Sequence, residues 1–197
     1  MTSIPVAHPA FWWRMPVERA RQVVPEDPDL ESRRRRWSDR DQQRWPLIAQ
    51  AVIRVSDALA EGHWLAPDDP PSLSSPAEVQ VATDDLTPTE LHIVRTWFSF
   101  GEAIRLDPWA NTPLNGRHRL WATIEHFETQ LIPVAGEALG YTNPEDLDVQ
   151  GPDWPQLFAD HLDEMKFCDW FDESDLLNMR FLAAMQTAAR GEIPSPI

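Results

Sequence analysis

The stretch TPLNGRHRLWAT, Thr112 to Thr123, is the one whose reading decides what kind of fold this chain adopts. An extended segment that reaches Gly116 and turns straight into a helix exposes unpaired backbone N–H groups at the helix start. The partial positive charge there favours an anion, phosphate above all. Gly116 permits the tight turn and a close approach of phosphate to the backbone. Arg117, His118 and Arg119 place up to three cationic donors in the first turn, where they oppose the dipole of an isolated helix, and a bound anion removes that conflict. The planar fork of arginine donates two parallel hydrogen bonds to a phosphate. Asn115, Gly116, Arg117, His118 and Arg119 are therefore the candidate phosphate-binding residues. In the competing structural reading, His118 bonds within the fold and the arginines pair with Glu90, Glu102 or Glu125.

Working outward, Thr87-Pro88-Thr89-Glu90 predicts a helix start with Thr at the N-cap, Pro at the first helical position and Glu closing a capping box. That helix carries Leu91, Val94, Trp97 and Phe98, and Gly101 ends it. Val79 and Val81 alternate with polar neighbours and predict a strand over 78–82. A second strand is expected at 103–106, a turn at 107–111, and a third strand at 131–134, where Pro133 favours an edge. A helix from Arg117 is expected to carry Leu120, Ile124, Phe127 and Leu131. Upstream, Pro46 opens a helix with Leu47, Ile48, Ala51, Val52, Val55 and Leu59 on one face and Gly62 as its cap. The Pro-rich first 30 residues read as irregular, anchored by Phe11, Trp12 and Trp13. Downstream, helices are expected over 154–167 and from Ser174, the latter through Leu177, Phe181, Met185 and Ala188 to Gly191, before a loose tail at 193–197.

Asn115 to Ala122 resembles the second conserved box of the ParB/sulfiredoxin-like superfamily, in which a Gly is followed by one variable residue, a basic pair and, two residues on, Ala. The order strand 78–82, helix 88–100, strand 102–106, box, helix, strand 131–134 is similar to that family's, over about a third of the chain. The resemblance implies nucleotide binding, as CTP in ParB proteins and as ATP in sulfiredoxin and free-serine kinases, with Gly116, His118 and Arg119 at the phosphate-gripping positions. ATP or CTP with Mg2+ is the cofactor it implies, in a nucleotide switch or an NTP-dependent phosphotransferase. Arg117 departs from the pattern, standing where ParB has a glutamate and sulfiredoxin its catalytic cysteine, so sulfiredoxin chemistry is not expected. Neither a helix-turn-helix nor the ParB arginine box upstream is evident. A phosphotransferase needs a carboxylate near the phosphate, and Glu90 and Glu102 are the nearest in sequence.

Composition sets the frame. The 197 residues carry 17 basic and 32 acidic side chains, net charge −15, with 19 Pro, 7 Gly and 10 Trp. The expected fold class is mixed α/β (α+β) and predominantly helical. A small ParB/sulfiredoxin-like unit at 77–140 follows a Pro-rich linker at 66–76, between an Arg/Trp-rich helical extension (1–65) and an acidic helical region (141–197). The scattered tryptophans read as core anchors. His92 and His126 read as packing or surface residues without metal spacing. One cysteine, Cys168, allows no intramolecular disulfide and suits a reducing compartment. No run approaches the ~20 apolar residues of a membrane span, and Met1 to Met15 lack the pattern of a signal peptide, so a cytoplasmic location is expected.

The charge is uneven along the chain. Residues 1–60 sum to +2 and the remainder to −17. Net acidity argues against broad nucleic-acid binding, yet Arg33-Arg34-Arg35-Arg36 beside Trp37, Arg40, Arg44 and Trp45 would suit a DNA backbone. The bland reading of that arm is a solvated, internally paired helix. The acidic stretch 145–175, with Asp160, Asp163, Glu164, Asp169, Asp172 and Glu173, lacks the Gly-marked calcium-loop pattern. It reads as a solvated face that could dock a basic protein partner, in a non-catalytic interaction module.

Overall fold

The computed structural model describes residues 1–24, 42–65, 76–99, 101–105, 115–129, 131–136, 154–166, 168–192 and 194. Among these, six helices accompany two antiparallel two-stranded ribbons. The mixed, helix-rich class expected from the sequence is observed. The arm at Arg33–Arg36, the turn at 107–111 and nearly all of the 66–76 linker lie outside the described residues.

The first 24 residues depart from the irregular segment expected. Strand β1 (Thr2–Val6) pairs with β3 (Ala77–Val81), and β2 (Trp12–Pro16) pairs with β4 (Leu131–Ala135). Helix α1 follows at Val17–Val23. Among the described residues, Pro5, Pro9 and Pro16 stand where no N–H is required. Pro5 faces Glu78, whose own N–H and C=O turn outward to Leu65 at 3.0 and 2.9 Å. Pro9 opens a single 3-10 turn, and Pro16 is the N-cap of α1. The N-terminal segment thus supplies one strand to each ribbon, with Ile4, Val6, Val79 and Val81 turned into a shared core.

Strand β2 shows no apolar–polar alternation because both its faces are buried. Trp12 lies against Phe98 at 4.9 Å between ring centres, and Trp13 against Trp170 at 5.3 Å and Phe171 at 5.7 Å. Phe11, Trp12, Trp13 and Trp97 are fully buried, as their anchoring role requires. The indole N–H groups of Trp12 and Trp97 donate to the carbonyls of Ala7 and Pro133.

Helix α2 (Trp45–Glu61) buries Ile48, Ala51, Val52, Val55 and Leu59 and ends on Gly62 in the left-handed region, φ 77°. Helix α3 (Pro88–Phe98) carries the full Thr87–Glu90 capping box. It stops at Ser99, short of Gly101. The strand expected at 103–106 reduces, within the described residues, to one parallel bridge between Arg105 and Ala135. Helix α4 (Arg117–Thr123) is shorter than expected: Thr123 turns its hydroxyl back to the Arg119 carbonyl, a 3-10 turn follows at Ile124–His126, and Leu131 belongs to β4. Helix α5 (Trp154–Lys166) follows its expected span; α6 (Leu176–Ala189) starts two residues after the expected Ser174, behind an Asp175 cap, and ends before Gly191, with Leu177, Phe181, Met185 and Ala188 buried. No helix of the described residues is long and apolar enough to cross a membrane.

Two buried groups couple this fold to pH. His8, 3% exposed, has a φ of 41°, and its ring packs 4.4 Å from Phe11 with Nδ1 unpartnered. Burial lowers its pKa from 6.5 to about 3. Glu90 is held at about 2, chiefly by hydrogen bonds from Arg44. Acid works against the fold at both sites, because the unfolded chain binds the proton first. Below pH 6.5 the His8 contribution should remove up to about 1.4 kcal/mol of stability per pH unit. The Glu90 contribution is fully present above about pH 4.5 and is lost as pH falls towards 2. Denaturant titrations between pH 7 and 3 should therefore show falling stability. His8→Asn, which tolerates the left-handed backbone, should flatten the part between pH 6.5 and 4.5, and Glu90→Gln only the part below it.

Candidate functional site

The residues singled out between Asn115 and Arg119 line one cleft of about 300 Å³, together with His92, Ile93 and Thr96 of α3 and Glu102. The local chain explains the placement. Asn115 bridges the turn, its amide donating to the Gly101 carbonyl at 3.2 Å while its Oδ1 accepts from the Gly116 N–H at 2.8 Å. Gly116 then enters the left-handed region at φ 74°, and its carbonyl accepts the Leu120 N–H that opens α4. A side chain at this position would collide with Ile104 Cγ1, and Arg119 Nη2 lies 3.2 Å from the same point. The glycine thus admits core and guanidinium atoms beside its Cα, and its own N–H is committed to Asn115.

Arg119 is the deepest cation of the cleft, 8% exposed. Its Nη2 donates to the Glu102 carbonyl, and its Nη1 is buried without a hydrogen-bond partner. Burial lowers its pKa to about 10, against the attraction of the nearby Glu102 carboxylate. A guanidinium left with an unused donor away from water is costly. Arg117 and His118 are half-buried at the cleft wall.

The acidic neighbours divide sharply. Glu90, 1% exposed, accepts from the backbone N–H and guanidinium of Arg44 and from the Thr87 N–H, all within 2.9 Å. It ties the start of α2 to the start of α3 and does not line the cleft. Glu125 pairs with Arg21 on the surface. Among the described residues, Glu102 is the one carboxylate that lines the cleft. Among the described residues, no group of three or more His, Cys, Asp or Glu is placed to hold a metal ion.

His92 and Thr96 join the site through tertiary packing. Their i, i+4 spacing puts them on one face of α3, and that face lines the same cleft as the Asn115–Arg119 turn. The spacing was legible in the sequence, but nothing local marked that face as a cleft wall. Arg44 and Trp45, read beside the Arg33–Arg36 arm, serve the fold instead: Arg44 binds Glu90, and Trp45 is 9% exposed in the core. No family model, curated protein or solved structure matches this chain.

The Gly116 backbone is the sharpest local test of the turn. Gly116→Ala should destabilise the protein by about 1–3 kcal/mol, from the left-handed φ and the collision with Ile104. Thermal unfolding checks this, and a variant as stable as the parent would contradict the packing described.

Proposed function

We propose that the chain binds a nucleotide-class ligand through its phosphate in the cleft formed by Asn115, Gly116, Arg117, His118 and Arg119. The observation that carries this reading is Arg119: a buried guanidinium with one hydrogen-bond donor unused, at a cleft also lined by Arg117, His118 and His92. Nη1 is itself shielded from solvent, so an incoming phosphate would accept from it once the guanidinium turns towards the cleft, and that bond would offset the desolvation of the cation. The ParB/sulfiredoxin-like resemblance of residues 115–122 points the same way and makes the ligand a nucleotide such as ATP or CTP. Helix α4, only seven residues long, has a small dipole to offer, so this binding rests on side chains more than on the helix start. The orphan donor of Arg119 suits a phosphate oxygen. Magnesium would find Glu102 and the phosphates themselves as its ligands.

Thermal-shift and calorimetric titration with inorganic phosphate, ATP, CTP and GTP, each with and without Mg2+, should show saturable stabilisation. Arg119→Met should weaken it by about tenfold or more, since a charge-assisted hydrogen bond is worth about 1.5–3 kcal/mol. Absence of any response, or one unchanged in Arg119→Met, would sink the proposal.

A second reading has its own observation. Leu176 and Met179, 57% and 52% exposed, stand one turn apart on α6. Close by in the chain are the exposed carboxylates of Asp169, Asp172 and Glu173. An apolar pair beside acidic groups suits a basic amphipathic segment of another protein. Crosslinking and mass spectrometry in cell extract should then recover a basic partner whose complex weakens with salt and is lost on Glu173→Lys with Met179→Asp. Recovery unaffected by that double change would exclude this face.

A further inference from the structure

We draw no further inference here: the strongest candidate, the open groove of about 370 Å³ where His63, Trp64 and Leu65 flank the outer edge of β3 at Glu78 and Gln80, carries none, because nothing among the described residues shows what covers it.

Discussion

Arg14 holds together three elements that are distant in sequence. Its guanidinium donates to Ser56 Oγ at 2.9 Å, to Asp57 at 2.5 Å and to Asp175 at 3.1 Å, while Asp175 also caps α6 through the Leu177 and Asn178 N–H groups. The backbone of the same residue is bound from outside the sheet. The Arg14 N–H donates to Asn178 Oδ1 at 2.6 Å, and the Asn178 amide donates back to the Arg14 carbonyl at 3.3 Å. A fully buried carboxamide thus stands in for a neighbouring strand at the outer edge of β2. Removing either partner would strand polar groups in the core, the costly direction for a buried network. Strand β2, α2 and α6 are consequently fixed relative to one another.

That arrangement explains why a two-stranded ribbon suffices at the centre of the molecule. An isolated ribbon of this size is marginal in water. Here β2 is covered on one face by Phe98 and on the other by Trp170, Phe171 and Phe181. Pro133, opposite Arg14 in β4, has no N–H to offer, and Arg14 asks for none because its own backbone groups face Asn178. The carbonyl of Pro133 turns instead to the Trp97 indole, which links β4 to α3 and so to the wall of the cleft.

What could be read from the sequence were the elements whose signals are local. Thr87-Pro88-Thr89-Glu90 is a self-contained instruction, and so are the apolar face of α2 with Gly62 behind it and the Leu177–Phe181–Met185–Ala188 stripe. The two N-terminal strands were hidden because Pro5, Pro9 and Pro16 argue locally for irregular chain, and only the partner strands show that their missing N–H groups are not needed. Strand β2 was hidden because burial of both faces erases alternation. The turn at Asn115–Arg119 was legible through its unusual run of cations behind a glycine. The α3 residues of the cleft, His92 and Thr96, were not, because membership of a cleft depends on how α3 packs. The part of Glu90 in joining α2 to α3 was likewise invisible, although its place in the capping box was plain.

The same distinction bears on the charge of the molecule. A net −15 discourages encounter with phosphate through the long-range field, but that field is screened within about 8–10 Å at physiological salt. Inside the cleft, the local groups decide. The fold spends hydrogen bonds on placing Arg119 there: Asn115 fixes the turn, Gly116 clears space for the guanidinium beside Ile104, and the Glu102 carbonyl takes one of its donors. A structural arginine so placed would be expected to have its remaining donors met by protein acceptors, as most buried polar groups are. The unused Nη1 is therefore the physical asymmetry of the site. It is the feature on which the proposed binding of an oxyanion rests, in spite of the total charge.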